Sequence, residues 1–335
     1  LTVLALLSPV AEAQQAQPQR RSVRTIPSET FVQGKRLLMR GEYRDAEKWF
    51  EQELRSAVKT VGTRWIDSIC YHTMLGETYF HQGRNAEALD QFSRACEIYL
   101  AFPQWMLKVN YPPLRADTGS TRRVAPWGQS QRPNVVYGQF PRTMTINLGE
   151  FLTEQKLAIE GGVVAPPQMW LVDAKEVVRC TALAIRRRSQ ILGPLSVHNS
   201  LSGRLSAALR RGSAPPNHWS TAWVDVEQGL AEAGVGELAE ASRKLSRAVL
   251  AGGQFEHPLS SVALIEQGRL ALQAGDLASA GNLFQEASYS AYYYDQIGTV
   301  DEALALATAT HILAGREGVY PPLDPAINWA NRKNW

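Results

Sequence analysis

Apolar and small residues recur along this chain at helical intervals, in short blocks separated by glycine-bearing turns. The block from Leu75 to Ala95 shows it best. Leu75, Gly76, Tyr79, Gly83, Ala88, Phe92 and Ala95 fall at steps of 1, 3, 4, 5, 4 and 3. Steps of three and four keep residues on one helix face, and the step of five after Gly83 marks a break between two such faces. The pattern predicts two amphipathic helices folded back on each other. Gly76, Ala88 and Ala95 are small enough for close approach, while Tyr79 and Phe92 fill the space between, so Ala88 and Ala95 are expected to be nearly fully buried.

The same template slides onto other stretches. Upstream it fits Gly34, Leu37, Gly41, Tyr43, Ala46 and Phe50, with Glu53 where a small residue is expected. Downstream it fits Gly229, Gly236, Leu238, Ala241, Leu245 and Ala248, then Gly268, Ala271, Gly275, Leu277, Ala280, Phe284 and Ala287. A further amphipathic stretch, Thr299 to Leu313, has the length of a closing helix, without a partner because Tyr320 to Pro325 is proline-rich.

This spacing resembles the tetratricopeptide repeat, whose two helices carry Trp/Leu-Gly-Tyr, then Gly, Ala, Phe and Ala. His72 stands where the family's opening Trp would be. Equivalent alanines lie 42 apart (88 − 46) and 39 apart (280 − 241), beyond the usual ~34, which predicts longer helices or turns. The stretch Ala182 to Ile185 with Leu192-Gly193-Pro194 resembles the second helix and exit of the longer kinesin-light-chain variety, although Lys175 and Arg179 depart from it. The resemblance implies a mostly α fold, a right-handed α-α superhelix stacked from helix pairs, with a groove lined by the first helix of each pair. By alignment that groove would present Thr73, Glu77 and Phe80, and further along Glu266, Arg269 and Gln273, to a peptide or protein partner.

The expected organisation is a signal-peptide fragment at 1–13, a flexible leader at 14–27, repeats at 28–102, an insertion at 103–168, repeats at 169–320 and a tail at 321–335. Residues Leu1 to Val10 are apolar and precede Ala11-Glu12-Ala13, small residues at the positions that signal peptidase reads. The chain is therefore expected to be exported, to the periplasm, the cell envelope or the medium, and cut after Ala13. With neither an initiator Met nor a basic n-region, it reads as a fragment lacking its first residues. The insertion holds eight of the eighteen prolines and does not repeat. Val135 to Phe140 and Met144 to Leu148 alternate as strands do, which predicts a small hairpin turned at Pro141-Arg142. Trp105, Met106, Tyr111, Trp127, Tyr137 and Phe140 are apolar anchors, so the insertion should pack on the helices.

Composition changes this picture little. An apolar fraction of 44% is too high for a disordered chain, and a net charge of +3 gives no argument for nucleic acid. No later stretch is apolar enough for a membrane span. GxSxG, HExxH, GxxxxGK[ST] and GxGxxG after a strand are all absent, so no catalytic residue, cofactor or metal ligand set is assigned. His72 and His81, nine apart, would need a third ligand such as Glu77 to hold a metal, and read better as polar groove residues. The basic run Arg186-Arg187-Arg188, with Arg179, either holds an anionic group or is a solvated helix end. Tyr289, Tyr292 and Tyr293, beside Tyr294, form either an exposed aromatic patch or a wide inter-repeat core. Cys70 and Cys96 sit at the adjoining ends of two antiparallel helices, as a disulfide or as two half-buried thiols, with Cys180 free. The function expected is protein–protein interaction or scaffolding in the groove. The rivals are a secreted enzyme, such as a hydrolase, built on the 103–168 insertion, and an architectural envelope component.

Overall fold

The computed structural model describes residues 25–60, 62–118, 124–133, 135–147, 169–212 and 214–333. The segment expected as a signal peptide and the first part of the expected leader lie outside them. Twelve helices occur among the described residues. Antiparallel pairs are α1 (Glu29–Met39) with α2 (Tyr43–Ser56), and α3 (Asp67–His81) with α4 (Asn85–Ala101). After the insertion come α5 (Ala174–Leu192) and α6 (Ser200–Arg210), then the pairs α7 (Thr221–Gly234) with α8 (Leu238–Ala248) and α9 (Ser260–Gln273) with α10 (Leu277–Tyr293). Last are α11 (Ile297–Leu313) and α12 (Leu323–Arg332).

Four of these pairs are built on one spacing. A first-helix glycine (34, 76, 229 or 268) is followed seven residues later by a turn glycine (41, 83, 236 or 275). Each turn glycine has a positive φ, between +74° and +84°. The next residue donates its N–H five residues back: Glu42 to Leu37, Arg84 to Tyr79, Glu237 to Glu232 and Asp276 to Ala271, all at 2.9–3.0 Å. This is the six-to-one bond of a glycine C-cap, which only a residue tolerant of positive φ closes cheaply. Twelve residues after the first glycine an alanine (46, 88, 241 or 280) is 0% exposed. Sixteen after it, Phe50, Phe92, Leu245 or Phe284 covers the glycine so closely that a Cβ there would lie 2.5–2.8 Å from the ring or branch. Ala88 and Ala95 are buried as expected.

Of the two expected origins of the long repeat period, it is the turns that are longer. Only three residues separate the helices within each of these pairs. The extra length lies between pairs, at 57–66 and 249–259, where Lys59 bridges to Arg64 and the strand β7 (Phe255–Glu256) forms. Glu53, out of place in the pattern, is buried and accepts a hydrogen bond from Ser28 Oγ at 2.6 Å.

Three further expectations need correction. Helix α5 takes the place of a first helix, packing across both α3 and α4, while α6 packs mainly on α7 and α4. Asp173 opens α5 by accepting the Glu176 N–H at 3.0 Å. The tail from 321 contains α12, because Pro322 and Pro325 lie at its start, where proline costs no helical hydrogen bond. The leader ends in β1 (Thr25–Ile26), which pairs in parallel with β6 (Met169–Val172).

The strands expected as a hairpin are present, but they belong to different sheets. β5 (Met144–Asn147) lies between β6 and β2 (Val109–Asn110), in the order β1-β6-β5-β2. β4 (Val136–Gln139) lies between β3 (Arg115–Ala116) and β7 (Phe255–Glu256). Pro141-Arg142 lacks the residues that a tight hairpin turn requires, so the chain crosses from one sheet to the other there. Leu148, the end of the second expected strand, lies outside the described residues.

The insertion packs on the helices as expected. Trp105 and Met106 are buried, and Phe140 meets Trp219 and Trp223 with ring centroids 5.3 and 5.7 Å apart. Trp127, Tyr292 and Trp329 form a triad with ring centroids 5.3–5.4 Å apart, and Trp127 Nε1 donates to Ser288 Oγ at 2.9 Å.

Candidate functional site

The inner stripes of α3, α5, α9 and α11 meet in one charged cluster. On α3, Glu77 and Phe80 are three apart and share a face; on α9, Glu266 and Arg269 do the same. Consecutive residues on α5 turn by about 100°, so Arg186, Arg187 and Arg188 point three ways. Arg187 Nε donates to Glu77 Oε1 at 2.9 Å, and its guanidinium lies 4.6 Å from the centre of the Phe80 ring. Arg186 Nη2 donates to Glu302 of α11 at 2.6 Å. Arg269 Nη2 reaches the other oxygen of Glu302 at 2.9 Å, and Arg187 lies 3.8 Å away.

These ion pairs are largely out of water. The Arg186 side chain is 4% exposed, and those of Arg187 and Glu302 are 12% and 13%. Burial works against the Glu302 carboxylate, but the guanidiniums of Arg186, Arg187 and Arg269 outweigh it and hold its pKa below the usual value. Glu266 goes the other way: burial raises its pKa more than Arg269 and Arg186 lower it. N–H donors are left over in the cluster. Arg186 Nε and Nη1, Arg269 Nε and Gln190 Nε2 are buried without a partner, and Glu266 Oε2 is the matching spare acceptor.

Of the six groove residues named from sequence, Glu77, Phe80, Glu266 and Arg269 therefore converge. Thr73 does not line a groove: it is fully buried and its hydroxyl donates to the Cys180 carbonyl at 3.2 Å, in the α3–α5 contact. Gln273 is exposed, one turn beyond Arg269. Glu302 and Gln190 were missed, and only the reach of α11 across to α5 reveals the first of them.

The basic run is no solvated helix end. Arg188 turns away from the cluster to Ser93 Oγ at 3.2 Å, Ser202 Oγ at 2.8 Å and Asn199 Oδ1. Arg179, two turns earlier, pairs with Glu176 at 2.7 and 2.9 Å and does not join it. His72 and His81 do not converge either. His72 Nδ1 contacts Gln91 of α4 at 2.7 Å, whereas His81 stacks on Tyr43. Among the described residues no three His, Cys, Asp or Glu side chains gather as metal ligands.

The tyrosines hold the insertion and offer no open patch. Tyr293 stacks on Tyr137 at 3.6 Å and donates to Asp117; Tyr294 donates to Gly138 O and Glu256 O. Tyr292 is covered by Trp127 and Trp329, and Tyr289 is buried with its hydroxyl 2.6 Å from Gln285 Nε2. The bridge from Cys70 to Cys96 is absent: all three cysteines are thiols. Burial and the nearby Cys180 thiol of α5 raise the Cys70 pKa, while Cys96 lies near Arg188, eight residues further along that helix, or about 12 Å of rise.

The insertion does form a cleft, of about 800 Å³, lined by Arg115, Asp117, Phe140, Lys175, Tyr293 and Asp295 among others. Asp117 already accepts from Tyr293 and Gln139, and the Lys175 ammonium donates to Phe140 O at 3.1 Å. Glu227 is a more perturbed acid, raised well up by burial, but it is 0% exposed and set in the core.

No curated protein sequence matches the chain. A crystal structure of a Rap protein complexed with competence and sporulation factor is similar over 90% of this chain and 63% of that one, at 12% identity and a TM-score of 0.45. This chain thus spans less than two thirds of that protein's length. Among the described residues no helix is long and apolar enough to cross a membrane. Residues 37–101, which hold α2, α3 and α4 whole, match the tetratricopeptide repeat family, in a mostly helical fold whose other pairs repeat the same glycine-to-alanine spacing with Phe50, Leu245 or Phe284 over the glycine.

Proposed function

We propose that this chain is a non-catalytic interaction protein that acts outside the cytoplasm and takes an extended, acidic segment of a protein partner on its inner helix face. The match to tetratricopeptide repeats supports the binding class. The observation that carries the choice of partner is the surplus of donors on that face. Arg186, Arg269 and Gln190 hold four donor nitrogens without an acceptor, against one spare carboxylate oxygen on Glu266. A buried donor left unpaired is costly, and a segment rich in carbonyl and carboxylate oxygens would satisfy these. Glu302 occupies the arginines in the free protein, and a bound carboxylate would take its place.

Fluorescence anisotropy of an acidic peptide panel against the full chain tests this. Arg269→Gln should weaken the bound peptides about ten- to a hundredfold, the range for a hydrogen bond to a charged group. Lys175→Gln in the insertion cleft should leave them unchanged. Binding that ignores Arg269 and fails with Lys175 would transfer the function to the insertion.

Export rests on the Leu1–Val10 run and Ala11-Glu12-Ala13. Mass spectrometry of the cell-envelope or secreted fraction should find a mature N-terminus near Gln14. An intact apolar segment in a cytosolic pool would refute it.

A further inference from the structure

We infer that Cys70 and Cys180 are joined by a disulfide when the protein folds in an oxidising environment, and that Cys96 stays a thiol. This does not depend on the peptide-binding proposal. The two sulfurs come from different parts of the chain, α3 and α5, with the whole 103–168 insertion between them. Helices α3 and α5 pack directly. Thr73 Oγ1 donates to the Cys180 backbone carbonyl at 3.2 Å, which fixes that stretch of α5 against α3. Cys70 lies one turn before Thr73, on the same stripe. After burial, the nearby Cys180 thiol is the largest influence raising the Cys70 pKa. Arg179 Nη2 reaches both Cys180 Sγ, at 3.6 Å, and Met74 Sδ, at 3.7 Å, so the Cys180 side chain is turned toward α3.

Both thiols are 0% exposed. Burial raises the Cys70 thiol well above its ordinary pKa, so little thiolate is available once α5 is seated. Bond formation therefore belongs to folding, or to a local opening that lifts α5 from α3. The chemistry needs a disulfide oxidant, such as oxidised glutathione or the disulfide of a thiol oxidoreductase. One cysteine thiolate attacks a sulfur of the oxidant, breaking its S–S bond and releasing one oxidant thiolate. The second cysteine thiolate then attacks the protein sulfur of that mixed disulfide and expels the other oxidant thiolate. Two protons and two electrons leave the protein, and the oxidant ends as two thiols.

The three cysteines fall in different tryptic peptides: Trp65–Arg84, Ala95–Lys108 and Cys180–Arg186. Full-length chain is refolded with reduced and oxidised glutathione, alkylated under denaturing conditions and digested without reductant. The expected result is Trp65–Arg84 linked to Cys180–Arg186, with Ala95–Lys108 alkylated. Linkage of Trp65–Arg84 to Ala95–Lys108, or alkylation of all three, would overturn the inference. As a second measurement, adding a reductant to the refolded protein should lower its thermal midpoint by about 5 °C or more. The midpoint of Cys96→Ser should fall equally, and that of Cys180→Val should not respond. If Cys180→Val does not fold, the peptide map of the unsubstituted chain decides alone.

Discussion

Replacing Glu302 by alanine is expected to lower the unfolding free energy by about 3–5 kcal/mol, because it leaves the buried Arg186 guanidinium without its anion. The Arg186 side chain is 4% exposed and Glu302 Oε2 lies 2.6 Å from it, so water cannot substitute freely. Urea denaturation of the single variant measures the loss. Arg186→Met in the Glu302→Ala background should recover much of it, since the desolvated charge is then gone. A loss below about 1 kcal/mol would show that these charges behave as an exposed pair. The same carboxylate sets an acid limit. Its folded pKa lies below the ordinary 4.5, so its contribution is fully present above pH 4.5 and is lost as pH falls through the lower folded value. Between these two values the unsubstituted chain should lose stability more steeply than Glu302→Gln, which cannot titrate at that position.

A comparable effect is expected at the centre of the second pair. Phe92→Ala should cost about 3–5 kcal/mol, since the ring is 0% exposed and nothing nearby can fill its place. Gly76→Ala should destabilise as well. Its Cβ would lie 2.6 Å from Phe92 Cε1, and the resulting overpacking, about 1–3 kcal/mol, exceeds the ~1 kcal/mol that alanine gains over glycine in a helix. Combined with Phe92→Leu, Gly76→Ala should cost less than the sum of the two single changes, because the smaller side chain yields the space. Strict additivity in chemical denaturation would mean that the glycine is kept for another reason.

That contact was legible in the sequence because it is local. Gly76, Gly83, Ala88 and Phe92 lie within seventeen residues of one another, and their spacing alone specifies two helices and the turn between them. Glu77, Phe80, Glu266 and Arg269 were legible for a related reason: once the repeat is aligned, the helix face that turns inward follows. What is built from distant segments was hidden. Thr73 shares the inner-face alignment with Glu77, yet α5 covers it, and nothing near Thr73 announces α5. Glu302 sits on a stretch that reads as an ordinary apolar helix, and its meaning comes from three arginines on two other helices. Cys70 was matched with the cysteine nearest in its own pair, when the helix that faces it lies beyond the insertion. Strands β4 and β5 were found by their alternation, but their partners β3, β7, β2 and β6 are two to four residues long and carry no pattern of their own.

The seating of Trp127 against Tyr292 and Trp329 bears on how the array comes apart. A solenoid whose repeats touch only their neighbours can fray from an end, one unit at a time, each loss costing only its own interface. Here the segment around Trp127 and Arg132, which precedes eight of the twelve described helices, grips α10 and α12 near the far end. Arg132 adds ion pairs to Glu256 and Glu286, at 2.8 and 3.1 Å. Peeling away the terminal helices must strip these aromatic and ionic contacts at the same moment. Partial unravelling from the C-terminal side is thus penalised well beyond a nearest-neighbour sum, and α9 to α12 open as one cooperative unit with the insertion or remain closed together.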